Sequence, residues 1–351
     1  MSRMTAFAAL LVLASSALLA QDRPPFDNPY LDKNLNRVDL ARPVPSISLD
    51  KEDLQVTWPQ VFRPAPAPLA NFQVFAGSPD KEGDREGIAF YGPCLYRPVR
   101  ITALGRGAFF VGQENGEVRL LDGYGAYHWP VPSGSAEPIA GFPNTDIAQA
   151  TSGSIIRTDR FFNWVWPSLP TSGNRITSLS LDGNDRLWAV DGDEVKFVDA
   201  NTGSGPTTVI AKGTAEPFQG GTFKPTLVAA DPSLDRVIVA SDEAIYEIDP
   251  RTKALRHLAG IPGSRGYYLD GPGDQARFIR ITGIAVHRSG WILVAEGDGF
   301  LRWVKPTGEV ETIKLGGPGL YYRMVELGEV AFDGDVALVT DAFHHVVWKV
   351  Y

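Results

Sequence analysis

The chain has 351 residues, with 33 Lys and Arg against 41 Asp and Glu and a formal net charge of −8. The acidic balance carries no basic block, which argues against nucleic acid and anionic membrane surfaces as partners. Cys94 is the single cysteine, so no internal disulfide can form and the fold has to be held by burial, with Cys94 itself read as a buried small hydrophobe.

The N-terminal run MSRMTAFAALLVLASSALLA sets one cation, Arg3, ahead of a small and apolar stretch ending at Ala20. Its length and flanks read as a secretory signal peptide over residues 1–20, too short for a membrane span, so the mature chain is expected to be secreted or periplasmic. Gln21 rather than Cys follows the expected cleavage point, which leaves no lipid-anchor site, and no later stretch reaches the ~18–20 apolar residues of a bilayer crossing. Asn144-Thr145-Asp146 and Asn201-Thr202-Gly203 fail as glycosylation acceptors at the third position, which favours a bacterial setting. Residues 21–35 read as an N-terminal extension, residues 36–351 as the folded domain, and Arg63 to Pro68 as a Pro-rich strap or linker within it.

An internal repeat organises the rest of the chain. Its clearest copy, residues 258–313, reads as a Gly-rich loop followed by strands Ile281–Val286, Trp291–Ala295, Phe300–Val304 and Glu309–Ile313. Each is rich in β-branched or aromatic residues, and each break carries Gly, Asp, Pro or Ser, the punctuation of tight antiparallel turns. Other copies keep the rhythm, with first strands starting near 99, 176, 225 and 327; Arg42–Leu49 echoes Arg97–Leu104 and suggests a further copy starting near 44.

Leu258-Ala259-Gly260, Asp270-Gly271-Pro272-Gly273, Ala276-Arg277-Phe278 and Gly283-Ile284-Ala285-Val286 resemble the NHL-repeat family. The resemblance implies an all-β, six-bladed β-propeller of four-stranded antiparallel blades. Residues 142–174 read as the longest insertion. The last copy holds three strands, so the N-terminal segment Asn36–Ala41 is expected to supply the fourth and close the ring. If the copy at Arg42–Leu49 is illusory, Phe72–Ala76 closes a ring of five blades instead.

Aligning the copies puts Arg42, Arg97, Arg175, Lys224, Arg280 and Glu326 at one position, where the innermost strands begin at the channel rim. Five cations and one carboxylate there suit an anion-attracting funnel. Carboxylates recur on the same face where second strands turn into third, at Glu114, Asp191, Asp242, Glu296 and Asp341. The NHL resemblance implies that these pair with the rim cations to hold blades together; Arg97 and Arg175 are the cations expected to be left free. A second candidate is the aromatic run Phe161, Phe162, Trp164 and Trp166, read as an apolar lip over the channel mouth or as packing against adjacent blades. Tyr267-Tyr268 and Tyr321-Tyr322 precede their blades in equivalent loops and are candidates for the same rim.

Related propellers include lyases with a His-held channel zinc and lactonases with a calcium held by Glu, Asn and Asp. His344 and His345, read as adjacent strand residues, face opposite sides and cannot share one channel metal, while His287 reads as a surface turn and His257 as an outer strand. Glu114, Asn115, Asn174 and Asp341 have the hard oxygen donors that calcium takes, without a local motif matching the lactonases. No cofactor is therefore predicted, with calcium left open. Gly-x-Ser-x-Gly, P-loop and Cys-x-x-Cys signatures are absent. Two readings remain: a monomeric exported binding propeller presenting its loop-rich face to a protein, peptide, glycan or small molecule, and a metal-dependent lactonase-like hydrolase or lyase acting in the channel.

Overall fold

The computed structural model describes residues 65–79, 83, 87–88, 94–122, 125–129, 137–151, 154–159, 161, 163–170, 175–205, 207–211, 223–230, 236–264, 267–316 and 324–351. The signal-peptide segment, the extension, the copy at Arg42–Leu49 and Tyr321-Tyr322 lie outside them.

Strand β1 (Phe72–Gly77) comes first, and the two-residue β2 (Gly87–Ile88) follows. The first blade is the antiparallel meander β3 (Pro98–Gly105), β4 (Ala108–Gln113), β5 (Val118–Leu121) and β6 (Gly125–Trp129), with β2 added to its outer edge. The second is β7 (Ile139–Gly141), β8 (Ile147–Thr151), β9 (Ser154–Thr158) and β10 (Trp164–Pro170). The third comprises β11 (Ile176–Leu181), β12 (Arg186–Asp191), β13 (Glu194–Asp199) and β14 (Thr207–Ile210). The fourth comprises β15 (Leu227–Ala230), β16 (Val237–Ala240), β17 (Ala244–Ile248) and β18 (Leu255–Gly260). The fifth is β19 (Ile281–Val286), β20 (Ile292–Glu296), β21 (Leu301–Val304) and β22 (Val310–Thr312). The sixth has β23 (Leu327–Asp333), β24 (Val336–Asp341) and β25 (Val346–Val350), completed by β1 in antiparallel pairing with β25.

The first strands β3, β7, β11, β15, β19 and β23 neighbour one another in a closed ring. The fold is a six-bladed β-propeller.

The six blades are as expected, but two expectations about how they are built are corrected. Residues 142–174 are not an insertion: with Ile139–Gly141 they build most of the second blade. The closing strand is Phe72–Gly77 rather than Asn36–Ala41, in a ring of six blades rather than five. Phe72 earns the place by packing edge to face on Trp348, 5.2 Å between centroids, inside the apolar layer that joins the fifth and sixth blades.

Burial holds the ring through layers shared by neighbouring blades. One joins Ile238, Ile245 and Leu258 of the fourth blade to Ile284, Ile292 and Val304 of the fifth, and another joins Ala150 and Ile155 of the second to Leu187 and Val198 of the third. Cys94 is half-buried rather than buried. Among the described residues no helix is long and apolar enough to cross a membrane.

The motif that carries the family resemblance has a structural role. Arg302 of β21 is fully buried; its guanidinium donates to Glu296, to Asp270 and to the carbonyls of Leu269 and Arg277, and lies 4.7 Å over the Phe278 ring. Asp270 also accepts from the Thr312 N–H at 3.0 Å and the Thr312 hydroxyl at 2.8 Å, tying the loop to β22. Gly273 passes so close to Leu258 that any side-chain carbon would overlap the Leu258 carbonyl oxygen.

Candidate functional site

In each blade the first strand runs away from the rim and the second returns to it, so the turn between second and third strands lies at the rim end. The equivalence of the rim positions is visible in the backbone. The N–H groups of Glu114, Gly192, Gly297 and Ala342 donate to the carbonyls of Arg97, Arg175, Arg280 and Glu326 at 3.1, 3.4, 3.0 and 3.0 Å. In the second blade the accepting carbonyl before the first strand is that of Pro138, from the Ala150 N–H at 3.0 Å; Glu137, one residue earlier, lies 4.0 Å from Arg175 and was missed by the sequence reading because the blade was missed. Around the ring the charged residues of the rim read Arg97, Glu137, Arg175, Lys224, Arg280, Glu326.

Side chains at the ends of the second strands hold these starts in place. Gln113 Oε1 accepts the Tyr96 N–H at 2.6 Å, Glu296 accepts the Ile279 N–H, and Asp341 Oδ2 accepts the Val325 N–H at 3.1 Å. Each anchored N–H belongs to the residue just before Arg97, Arg280 or Glu326. The expected pairing of these carboxylates with the rim cations is found only at Glu114 and Arg97 among the described residues. Elsewhere the carboxylate turns inward to its own blade: Asp191 to Lys196 at 2.8 Å, Glu296 to Arg302 at 3.1 Å, and Asp341 to His344 Nδ1 and Trp348 Nε1, each at 2.9 Å. Burial holds Glu296 above the ordinary carboxylate range, although the Ile279 N–H and Arg302 pull the other way.

The expected free cations also change identity. Arg97 is the most constrained rim residue: its guanidinium meets Glu114 through Nε and Glu326 through Nη2 at 2.9 Å, and its N–H donates to His345 Nδ1 at 3.3 Å. Burial, the largest single influence on its acidity, favours loss of the proton, yet the two carboxylates together hold Arg97 above its ordinary value. These contacts fix a backbone at φ 42°, the left-handed region that arginine rarely adopts. Arg175 approaches Glu137 only at 4.0 Å, with its side chain 71% exposed. Lys224 and Arg280 are exposed, and neither has a carboxylate within 4.0 Å among the described residues. The Arg280 guanidinium lies directly over the bare backbone of Gly297.

The aromatic run lies elsewhere. Phe161 and Trp164 flank the turn from the third to the fourth strand of the second blade, at the end opposite the rim, and β10 is that blade's outermost strand. Asp159 builds the turn by accepting the N–H groups of Phe161 and Asn163 at 2.8 and 2.9 Å, leaving Phe161 and Trp164 exposed. Trp166 pairs opposite Arg157 between two register shifts, and Phe162 lies outside the described residues. This placement corrects the expectation of a lip over the rim-side channel mouth. Tyr267 and Tyr268 are exposed at the rim end, with Tyr268 against Phe300 at 4.6 Å.

The histidines are likewise relocated. His344 and His345 lie in the turn between β24 and β25 rather than on a strand, and His287, though in a turn, is buried between Ser289 Oγ at 2.7 Å and Asp335 at 2.9 Å. Among the described residues no three His, Cys, Asp or Glu side chains converge as metal ligands.

No family model and no curated protein matches the chain. Solved structures do. An auxiliary nutrient binding protein from Bacteroides thetaiotaomicron aligns with TM-score 0.64 at 13% identity, over 80% of this chain and 76% of that one. Gluconolactonase from Xanthomonas campestris aligns with TM-score 0.52 at 15% identity over 82% and 98%, and virginiamycin B lyase from Staphylococcus aureus with 0.51 at 11% over 80% and 99%. The likeness is one of fold.

Proposed function

We propose that this chain is an exported NHL-type binding propeller that captures a ligand or partner on its rim face. The observation that carries the reading is the rim itself, where four residues stand at strand starts tied by backbone hydrogen bonds while Lys224 and Arg280 have no carboxylate within 4.0 Å among the described residues. Preorganised, exposed polar groups around a concave mouth are what ligand recognition requires. The signal-peptide-like residues 1–20 support export, and the fold is shared with a protein described as nutrient binding.

The competing reading is catalysis in the channel, since a gluconolactonase and a virginiamycin B lyase share the fold. Elemental analysis of the purified mature protein, thermal melts in calcium and in chelator, and a turnover assay on a panel of lactones separate the two. The binding reading predicts no stoichiometric divalent ion, no chelator shift and no turnover. One bound ion with a chelator-lowered melt and lactone turnover would replace it with the enzyme.

A further inference from the structure

We infer that the ligand of the rim face is an oxyanion, a carboxylate or a phosphate, held by Arg175, Lys224 and Arg280; this deepens the binding reading above and rests on it. The three residues occupy successive blades, the third to the fifth, and form one uninterrupted arc of the rim. On the rest of the rim carboxylates outnumber the cation Arg97. Arg97 is held between Glu114 and Glu326, and Glu137 precedes the first strand of the next blade.

The ring supplies its own ruler. Arg97 Nη2 and Glu326 Oε2, from neighbouring blades, meet at 2.9 Å, so side chains at adjacent rim positions are within reach of a single small group. Across the arc no carboxylate among the described residues plays the role of Glu326. Lys224 and Arg280 have no carboxylate within 4.0 Å among the described residues, and Glu137 reaches Arg175 only at 4.0 Å. Three adjacent cations, of which only Arg175 has a carboxylate as near as 4.0 Å among the described residues, repel one another, and in a chain of net charge −8 they form a local reversal of sign. A bound anion relieves that repulsion. Two guanidinium forks flanking one ammonium suit the oxygens of a carboxylate or phosphate. Arg280 is aimed by packing over Gly297, which has no side chain to displace it.

The test is calorimetric titration of the full mature chain with citrate, inorganic phosphate, sulfate and uncharged glucose at low and high salt. Saturable binding of at least one anion is expected, weakened about tenfold at high salt and about thirtyfold or more in Lys224→Ala/Arg280→Ala, the size expected for loss of two charge-assisted contacts. Arg251→Ala, which removes an exposed cation from the opposite end of the fourth blade, is expected to change it less than about twofold, because exposed charges more than a Debye length away are screened. The double variant should melt as the native chain does, since both side chains are exposed. Anion binding that is equal in the double variant, or absent for all three anions, overturns the inference. Glucose binding that depends on the rim would overturn it while leaving rim-face capture standing, whereas lactone turnover without binding would overturn the reading beneath it.

Discussion

Arg100 of β3 and Glu329 of β23 pair at 2.7 Å, and the second Glu329 oxygen accepts the Ile101 N–H at 3.1 Å. Three residues earlier on each side, Arg97 and Glu326 make the same connection at 2.9 Å. The two inner strands that meet where the chain closes its ring are thus stitched twice in one register. The inner stitch is largely shielded, whereas the outer lies at the open rim. Glu329→Ala is expected to cost about 2–3 kcal/mol, short of the roughly 3–5 of a fully buried pair, and Glu326→Ala less than about 1 kcal/mol. Urea unfolding measures both, and an effect of Glu326 as large as that of Glu329 would contradict the assignment.

Arg302 carries the loop before the fifth blade. Arg302→Ala removes the counter-charge of Glu296 and Asp270 and the donors to two carbonyls, at an expected cost of about 3–5 kcal/mol. Amide exchange in Leu269–Phe278 should accelerate before that of β19 and β20. Uniform loss of protection across the blade would show that the residue does not act through this loop.

The same cluster makes stability depend on pH with two opposite signs. Burial raises Glu296, so it binds a proton more readily folded than unfolded; stability from this group rises as pH falls through its folded value toward about 4.3, the unfolded value. Burial also opposes ionisation of Asp270, but the Thr312 N–H and Arg302 outweigh it and hold the group below its ordinary value. Its contribution is complete above about pH 3.9 and is lost as pH falls through its folded value. Melting curves against pH should lose the mildly acidic gain in Glu296→Gln and lose part of the steep acid decline in Asp270→Asn. Variant curves parallel to the native one would refute both assignments.

The two exposed and buried tryptophan environments separate sharply. Trp348 is buried with its indole N–H on Asp341, and Trp348→Ala is expected to cost about 3–5 kcal/mol. Trp164 is exposed at the end opposite the rim, and Trp164→Ala should change stability by less than about 0.5 kcal/mol and leave anion binding at the rim unchanged. Loss of rim binding in Trp164→Ala would restore the aromatic run to the site.

Gly297→Ala isolates the aim of Arg280. The added carbon meets only the far end of that side chain, which can swing away, so the melt should stay within about 0.5 kcal/mol. Citrate affinity should nevertheless fall severalfold by calorimetry. An unchanged affinity would show that the Arg280 guanidinium is not used where it stands.

Much of the ring was legible because five first strands carry β-branched residues after a charged residue or a proline, and four of the six rim residues stand directly before them. The second blade escaped for physical reasons: its first strand, Ile139–Gly141, has three residues, and its last carries Pro167 and Pro170 and two register shifts. Missing that blade hid Glu137, turned a strand into an apparent insertion and sent the search for a sixth blade toward Arg42. Which rim cations are free could not be read from spacing either. Gln113 fills the position that Asp191 occupies in the third blade, and Glu114, one residue further on, turns outward to Arg97 while Asp191 turns inward to Lys196.

Amide hydrogen exchange of the mature chain with and without saturating citrate at low salt tests rim-face capture most directly. The account predicts slowed exchange at Gly192 and Gly297, whose N–H groups rest on the carbonyls of Arg175 and Arg280, with no change across Trp164–Pro170. Protection confined to Trp164–Pro170, or absent from the rim when citrate is bound, would contradict it.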